Sequence, residues 1–445
     1  MLLVVITLQR YFRLINLDQI ILVRVFSGIS VNFTDMVAIT GMLILLFRSR
    51  DLVISPQLRN LLFLVLISTF ITAIFSFIVL DASLGLVGNR FRSYAIYFLI
   101  PAMIIMLNKE KRLQLFVGGL MVITAVLMLV QAVEYVNGQP FVFSGWGVES
   151  KHYVRGGVFE GVQRVFFRAP PTLLLITAVS VMYTLLDKKR RWLWAVMTTV
   201  CGIAIALSLT RTFYLYAISV VLIASLLVFT KQTASVIRGL ALVGLLVFVA
   251  VIVAPNIGGE GITGAVGDRF TSIFPALFDE DTHSTMDDRR NQFESIMNYI
   301  AESNVPPIFG VGVTDNSVLY FTSDLGYINI ILNMGILGLA IIVGWMIYLI
   351  RMSVVVWKTS SDINYRALSG GILASMPGIL LTGINIDYFT GHYFFWLLSV
   401  TVILEVLRHG MNEQRKPIGS PPILDEQKNT RLLRVRKQGS ILSAP

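Results

Sequence analysis

Charge is scarce in this chain of 445 residues: Asp, Glu, Lys and Arg make up 14% against 55% hydrophobic residues, too little polar surface to coat soluble domains of that length. Cysteine is scarcer still. The single thiol, Cys201, falls inside an apolar run, which excludes a disulfide framework and a Cys-based metal centre and leaves it a small lipid- or core-facing residue. Mixed polar and apolar spacing is also missing over most of the chain. Unbroken apolar runs of 17 to 25 residues recur instead, and runs of that length match a hydrocarbon core of roughly 30 Å. With a mean hydropathy of +0.75, the chain belongs in a bilayer. The net charge of +10 does not point to nucleic acid, because the basic residues are divided among the connections between spans.

Segments able to span lie at about residues 33 to 48, 60 to 80, 92 to 108, 113 to 136, 170 to 186, 191 to 209, 212 to 230, 237 to 255, 324 to 350, 366 to 386 and 391 to 407. Residues 14 to 31 are weaker because Asp18 and Arg24 interrupt them. They suit a twelfth span, a tilted interfacial helix or a re-entrant segment, and the reading here favours the span. The expected fold is an all-α polytopic membrane protein with 11 to 12 transmembrane helices over residues 1 to 408, then a basic, disordered cytoplasmic tail at 409 to 445. No internal repeat and no inverted pair of broken helices of the transporter kind is visible.

Lys and Arg set the orientation. Arg48, Arg50 and Arg59, then Lys109, Lys111 and Arg112, then Lys188, Lys189, Arg190 and Arg191 occupy alternate connections, which are assigned to the cytoplasm. Lys231 and Arg238, then Arg351, Lys358 and Arg366, and finally the tail keep the same parity. Two sizeable outer segments result beyond a short one at 81 to 91: a smaller loop at 137 to 169 and a large loop at 256 to 323.

Ten of the 36 basic residues fall on the outer side, and nine of those are Arg: Arg90, Arg92, Arg155, Arg164, Arg168, Arg211, Arg269, Arg289 and Arg290, with Lys151 the exception. Topology alone would accept either residue. Planar bidentate recognition of phosphate or carboxylate favours Arg, so this bias points to an oxyanion; the plainer reading is pairing with outer acids. Arg211, in SLTRTF, has almost no loop around it and sits at the membrane boundary, where an ionisable group is by default functional, with snorkelling as the alternative. Arg164 and Arg168 interleave with Phe166 and Phe167 just before a span. That pattern suits either an interfacial aromatic belt or a groove that holds sugar or isoprenoid.

The large loop carries GDRFTSI, with Arg269, and then a stretch expected to form an amphipathic helix over residues 287 to 300, with Phe293, Ile296, Met297 and Ile300 at apolar spacing. Arg289 and Arg290 would occupy its first turn, where a cation is locally unfavourable and so asks for another reason to be there. Pro306, Pro307, Gly310 and Gly312 then end the helix and permit a tight backbone path. Acidic runs at 279 to 283 and at Asp287 and Asp288 suit a solvated loop better than a metal site, and no metal and no cofactor is expected.

In their order these elements resemble the O-antigen ligase and polymerase superfamily of bacterial membrane proteins: SLTR at 208 to 211, Arg269 with Phe270 and Ser272, Arg289 or Arg290 at a helix start, Gly310 and Gly312, and G-x-x-G at Gly335 and Gly338. The likeness covers roughly residues 160 to 345. One departure favours the polymerase branch: Ser323, Asp324, Leu325, Gly326 and Tyr327 stand where ligases of the family carry a His-Asn pair, and His283 lies some 40 residues earlier. The resemblance implies a GT-C-like glycosyltransferase that joins undecaprenyl-diphosphate-linked repeat units at the outer leaflet of the bacterial inner membrane. Donor and acceptor glycolipids and membrane lipids would be its partners, together with a flippase and a chain-length regulator; nucleic acid would not. On this reading Arg211 acts with Arg269, Arg289 or Arg290 on the leaving diphosphate, with Arg164 and Arg168 behind them or on the acceptor side. Asp324 is the first candidate for the acceptor's base and Glu160 the second, although Asp324 equally suits a helix cap. Phe166, Phe167 and Tyr327 would contact sugar or lipid. A ligase with another acceptor and a transporter of an anionic or lipid-linked solute are the alternatives.

Overall fold

The structure, a computed structural model, describes residues 21–26, 29–48, 54–79, 81, 87–88, 94–137, 158–159, 162–163, 170–208, 212–229, 237, 284–302, 306–310, 326–383 and 395–414. A hairpin of β1 (Ile21–Phe26) and β2 (Ile29–Asn32) leads into α1 (Phe33–Arg48) and α2 (Pro56–Ile78). A 3-10 turn (Ile96–Phe98), α3 (Leu99–Leu107) and α4 (Glu110–Asn137) follow, then a two-residue-per-strand hairpin of β3 (Val158–Phe159) and β4 (Val162–Gln163). The rest is helical: α5 (Pro170–Leu186), α6 (Arg191–Leu207), α7 (Thr212–Phe229), α8 (Ser284–Glu302), α9 (Gly326–Thr359), α10 (Ile363–Thr382) and α11 (Phe395–Gln414).

Among the described residues three helices, α2, α7 and α9, are long and apolar enough to cross a membrane, and shorter apolar helices lie at Ala38–Phe47, Thr172–Leu186 and Arg191–Ala206. Their surfaces suit lipid. On α2, Leu64, Ile67, Phe70, Ile74 and Phe77 are exposed, a stripe that would be an aggregation liability in water. At the centre, α5 is buried along its described side chains, 172 to 186, and so is α11 from 396 to 407. Small residues let α10 approach α5: a Cβ on Gly371 would come within 2.8 Å of the Val179 Cα. That is how apolar helices pack when lipid competes equally for their side chains. Hydroxyls add links, with Tyr216 Oη donating to the Leu174 carbonyl at 2.5 Å and Thr198 Oγ1 donating to Ser180 Oγ at 3.1 Å.

Local signals explain where the helices start. Ser55 caps α2, its Oγ accepting from the Leu58 amide at 3.2 Å with Pro56 behind it at the first helical position. Asp362 caps α10 through the amides of Asn364 at 2.7 Å and Tyr365 at 3.1 Å. Asp187 closes the α5 to α6 turn, accepting from the Lys189 and Arg190 amides at 3.0 and 3.2 Å and from Trp194 Nε1 at 3.2 Å.

Side-chain contacts sort the helices by end. At one end Ser55 meets Tyr348 and Glu405, Tyr183 Oη donates to Asn364 Oδ1 at 3.2 Å, and the Arg366 guanidinium lies 4.6 Å over the Trp357 ring. At the other, Thr72 and Phe75 meet Phe309, and Tyr327 meets Leu380. Lys188 to Arg191, Lys358, Arg366 and Arg408 therefore share the first end, as alternation of basic connections requires.

Five expectations change. The proposed span at 14 to 31 is not helical where described, since β1 and β2 pair antiparallel with Ile21 opposite Asn32 and Phe26 opposite Ile29; β-branched Ile21, Val23, Ile29 and Val31 suit that pairing. Within 92 to 108 the helix is interrupted, because α1 crosses so closely at Gly41 that a Cβ there would overlap the Phe98 carbonyl in the 3-10 turn. Helix α8 begins at Ser284, three residues early, which moves Arg289 and Arg290 out of its first turn. Helix α9 runs to Thr359 but breaks at Gly335 (φ 69°, ψ −169°), so a discontinuous helix is present. Helix α11 also carries six residues past the expected start of the tail. Residues 237 to 255 apart from 237, the loop segments 138 to 157, 256 to 283 and 311 to 325, and the tail from 415 lie outside the described residues.

Candidate functional site

The clearest constructed feature is the break in α9 and the turn seated in it. Pro306 and Pro307 open the turn, and Phe309 N–H donates to the Pro306 carbonyl at 3.0 Å. The carbonyls of Pro307 and Ile308 accept from the amides of Ile336 and Leu337, both at 3.1 Å. Those amides open the first turn after the Gly335 break, the place where a helix leaves its N–H groups without acceptors of its own. The turn is thus the N-terminal cap of the long part of α9. Two glycines make it fit: Gly310 (φ 70°) and Gly335 both take left-handed backbone, and a Cβ on either would overlap the other's backbone.

Helix α2 holds the turn from the side. Thr72 Oγ1 donates to the Phe309 carbonyl at 3.2 Å, and the Phe75 and Phe309 rings stack with centroids 5.2 Å apart. Helix α8 packs on the short part of α9 through Ile296, Ile300 and Leu332. Tyr327, at the start of α9, donates from Oη to the Leu380 carbonyl at 2.7 Å, tying α9 to the last turn of α10. A proline-rich turn, an amphipathic helix, a broken helix and an aromatic hydroxyl are so brought to one end of the bundle.

The sequence-predicted site is described in part. Tyr327 is at this end and is half-buried against α10. Arg290 lies on α8 with its side chain 78% exposed and pairs with Glu294, Nε to Oε1 3.1 Å, which is the surface pairing that the plainer reading of the outer arginines expects. Arg289 is helical one residue earlier. Arg164, Arg168, Phe166, Phe167, Glu160, Arg211, Arg269 and Asp324 lie outside the described residues. Among the described residues no group of three or more His, Cys, Asp or Glu is placed to hold a metal ion.

Sequence reading missed a second cluster, at the opposite end. Glu405 is fully buried in α11. Its Oε1 accepts from Ser55 Oγ at 2.5 Å and from the Tyr348 hydroxyl; its Oε2 accepts from the Ser55 amide at 3.2 Å and from Arg408 Nη2 at 2.8 Å. Every donor faces the carboxylate, so α2, α9 and α11 are locked together there. The signal was present: Glu405 is an acid inside an apolar run with Arg408 three residues on, the spacing of a helical ion pair.

The chain matches no model of a known protein family, and no curated protein matches it either.

Proposed function

We propose that the protein is a membrane glycosyltransferase of GT-C-like architecture that polymerises polyprenyl-diphosphate-linked oligosaccharide repeats into a surface polysaccharide. The bond formed joins the donor's anomeric carbon to an acceptor hydroxyl on a second lipid-linked repeat; the bond broken is that carbon's bond to the diphosphate, which departs with its lipid. The acceptor proton passes to a base, for which Asp324 and Glu160 are the candidates. Arg211, Arg269, Arg289 and Arg290 would stabilise the departing diphosphate, and removing one preorganised donor from such a site costs about 10²- to 10³-fold in rate.

One observation carries this reading. The proline-rich Gly310 turn and the Gly335 element, two of the features on which the family resemblance rests, are 25 residues apart in sequence and meet backbone to backbone. They meet at the end opposite the basic connections, the end that the positive-inside pattern turns away from the cytoplasm. On this reading the protein resides in the bacterial inner membrane with its site facing outwards and its C-terminal tail inside.

The broken α9 favours a second reading, a transporter, because discontinuous helices bind solutes in such proteins. Its break is far from central, however, with nine residues before Gly335 and 24 after it. The break's first two free amides are also already taken by the turn. The test is to incubate purified protein in nanodiscs with an undecaprenyl-diphosphate-linked repeat unit and resolve the glycan products. A ladder of longer glycans that Arg211→Ala abolishes is expected. Saturable binding of the lipid without any product would overturn the polymerase in favour of the transporter or of a ligase with another acceptor.

A further inference from the structure

Beyond its break, α9 exposes apolar side chains at Ile336, Val343, Ile347 and Val355. Arg351, exposed four residues before Val355, marks the approach to the basic end, so the band reaches back from Ile350. Ile336 to Ile350 rises about 21 Å at 1.5 Å per residue, which leaves roughly 9 Å of a 30 Å hydrocarbon core to the turn and the short part of α9. Helix α8 packs on Leu332 in that short part, which sets it at the boundary of the band.

The apolar face of α8 is wider than its contact with α9. At 100° per residue, Tyr299, Ile296, Ile300, Phe293 and Met297 lie within an arc of about 160° that the polar Gln292 interrupts near its Tyr299 edge. Ile296 and Ile300 are buried, whereas Phe293 and Met297 on the arc's other flank are each 40% exposed. Arg290 stands just past that flank, and Glu294, Ser295, Asn298 and Glu302 fill the remaining surface. Ile308 and Ile336, 54% and 55% exposed, add apolar surface at the same end, where the turn caps the long part of α9.

We propose that α8 is an interfacial helix whose Phe293 and Met297 lie in the headgroup and acyl boundary of the bilayer that α9 spans, with phospholipid as their occupant. Its level, the exposed Ile308 and Ile336 at the same end and the position of Arg290 all fit that occupant: an amphipathic helix of this kind buries its apolar face about 5–10 Å deep while its cations reach the headgroups. The assignment does not depend on glycan transfer.

Spin labels on Phe293→Cys, Met297→Cys, Asn298→Cys and Ile347→Cys, in a Cys201→Ala background and in phosphatidylethanolamine and phosphatidylglycerol nanodiscs, test it. Collision rates are read with oxygen, which partitions into lipid, and with a water-soluble nickel chelate. All four positions are exposed, so Ile296 and Ile300 stay packed in every variant. At positions 293 and 297 the oxygen-to-nickel ratio should approach that at 347 and exceed that at 298 several-fold. A ratio at 293 and 297 equal to that at 298 would overturn the proposal by placing the face in water. Exclusion of both reagents there would overturn it in favour of a protein partner or second copy, and a water-like ratio at 347 would remove the bilayer level itself.

Discussion

Glu405 is the one charged side chain that is buried among the described residues. A fully buried carboxylate is tolerated because Ser55, Tyr348 and Arg408 all donate to it, and removing one partner of such a cluster costs about 3–5 kcal/mol. Glu405→Ala should lower the unfolding free energy by an amount of that order, read as a clear fall of the thermal midpoint in detergent. Glu405→Gln should cost less, because the hydroxyls of Ser55 and Tyr348 can rotate to accept from the new amide while its carbonyl still faces Arg408. Equal losses in the two variants would contradict this account of the cluster. Sequence reading passed over Glu405 because it weighed the outer arginines, whose types carried a bias, and treated the spans as nearly free of charge. Arg408 at i+3 was the local part of the signal, but Ser55 and Tyr348 come from 350 and 57 residues away, and no local pattern announces that meeting.

At the level of elements, apolar length was the legible signal and backbone breaks were not. The expected spans at 33 to 48 and 170 to 186 coincide with α1 and α5, because each run is bounded by polar residues or prolines that end a helix. The hairpin at 21 to 32 was misread because a short apolar run of β-branched residues suits a strand and a buried helix equally. Gly335 was visible as part of G-x-x-G, yet its role needed the turn from residues 306 to 310 to be seen in place. That role makes a sharp prediction. Gly335→Ala must force a side chain into backbone that is almost glycine-only, at about 1–3 kcal/mol before any overlap with the Ile308 carbonyl is counted. Gly118 and Gly119 on α4 have nothing within 4 Å of where a methyl group would stand, so Gly118→Ala should be neutral or stabilise by up to about 1 kcal/mol through helix propensity. Thermal unfolding of the pair checks this, and a Gly335→Ala variant as stable as Gly118→Ala would contradict the docked turn.

For the whole molecule, the two ends differ in construction. At the end with the basic connections, a buried carboxylate locks three helices; at the other, α9 is interrupted and completed by a turn from elsewhere in the chain. This polarity was legible in part, since the basic residues at 188 to 191, 358, 366 and 408, which the sequence assigns to one side, share one end of the described helices. The candidate site was legible only as residue types and order, because Arg211, Arg269 and Asp324 lie in segments where neither periodicity nor described contacts fix their neighbours. Everything proposed for these arginines rests on the end at Gly335 facing away from the cytoplasm. The most direct test is labelling by a membrane-impermeant maleimide in spheroplasts, with Ser295→Cys on α8 and Lys189→Cys at the basic end, each in the Cys201→Ala background. The account predicts that Ser295→Cys is labelled in intact spheroplasts and Lys189→Cys only after permeabilisation; labelling of Lys189→Cys alone in intact spheroplasts would contradict it.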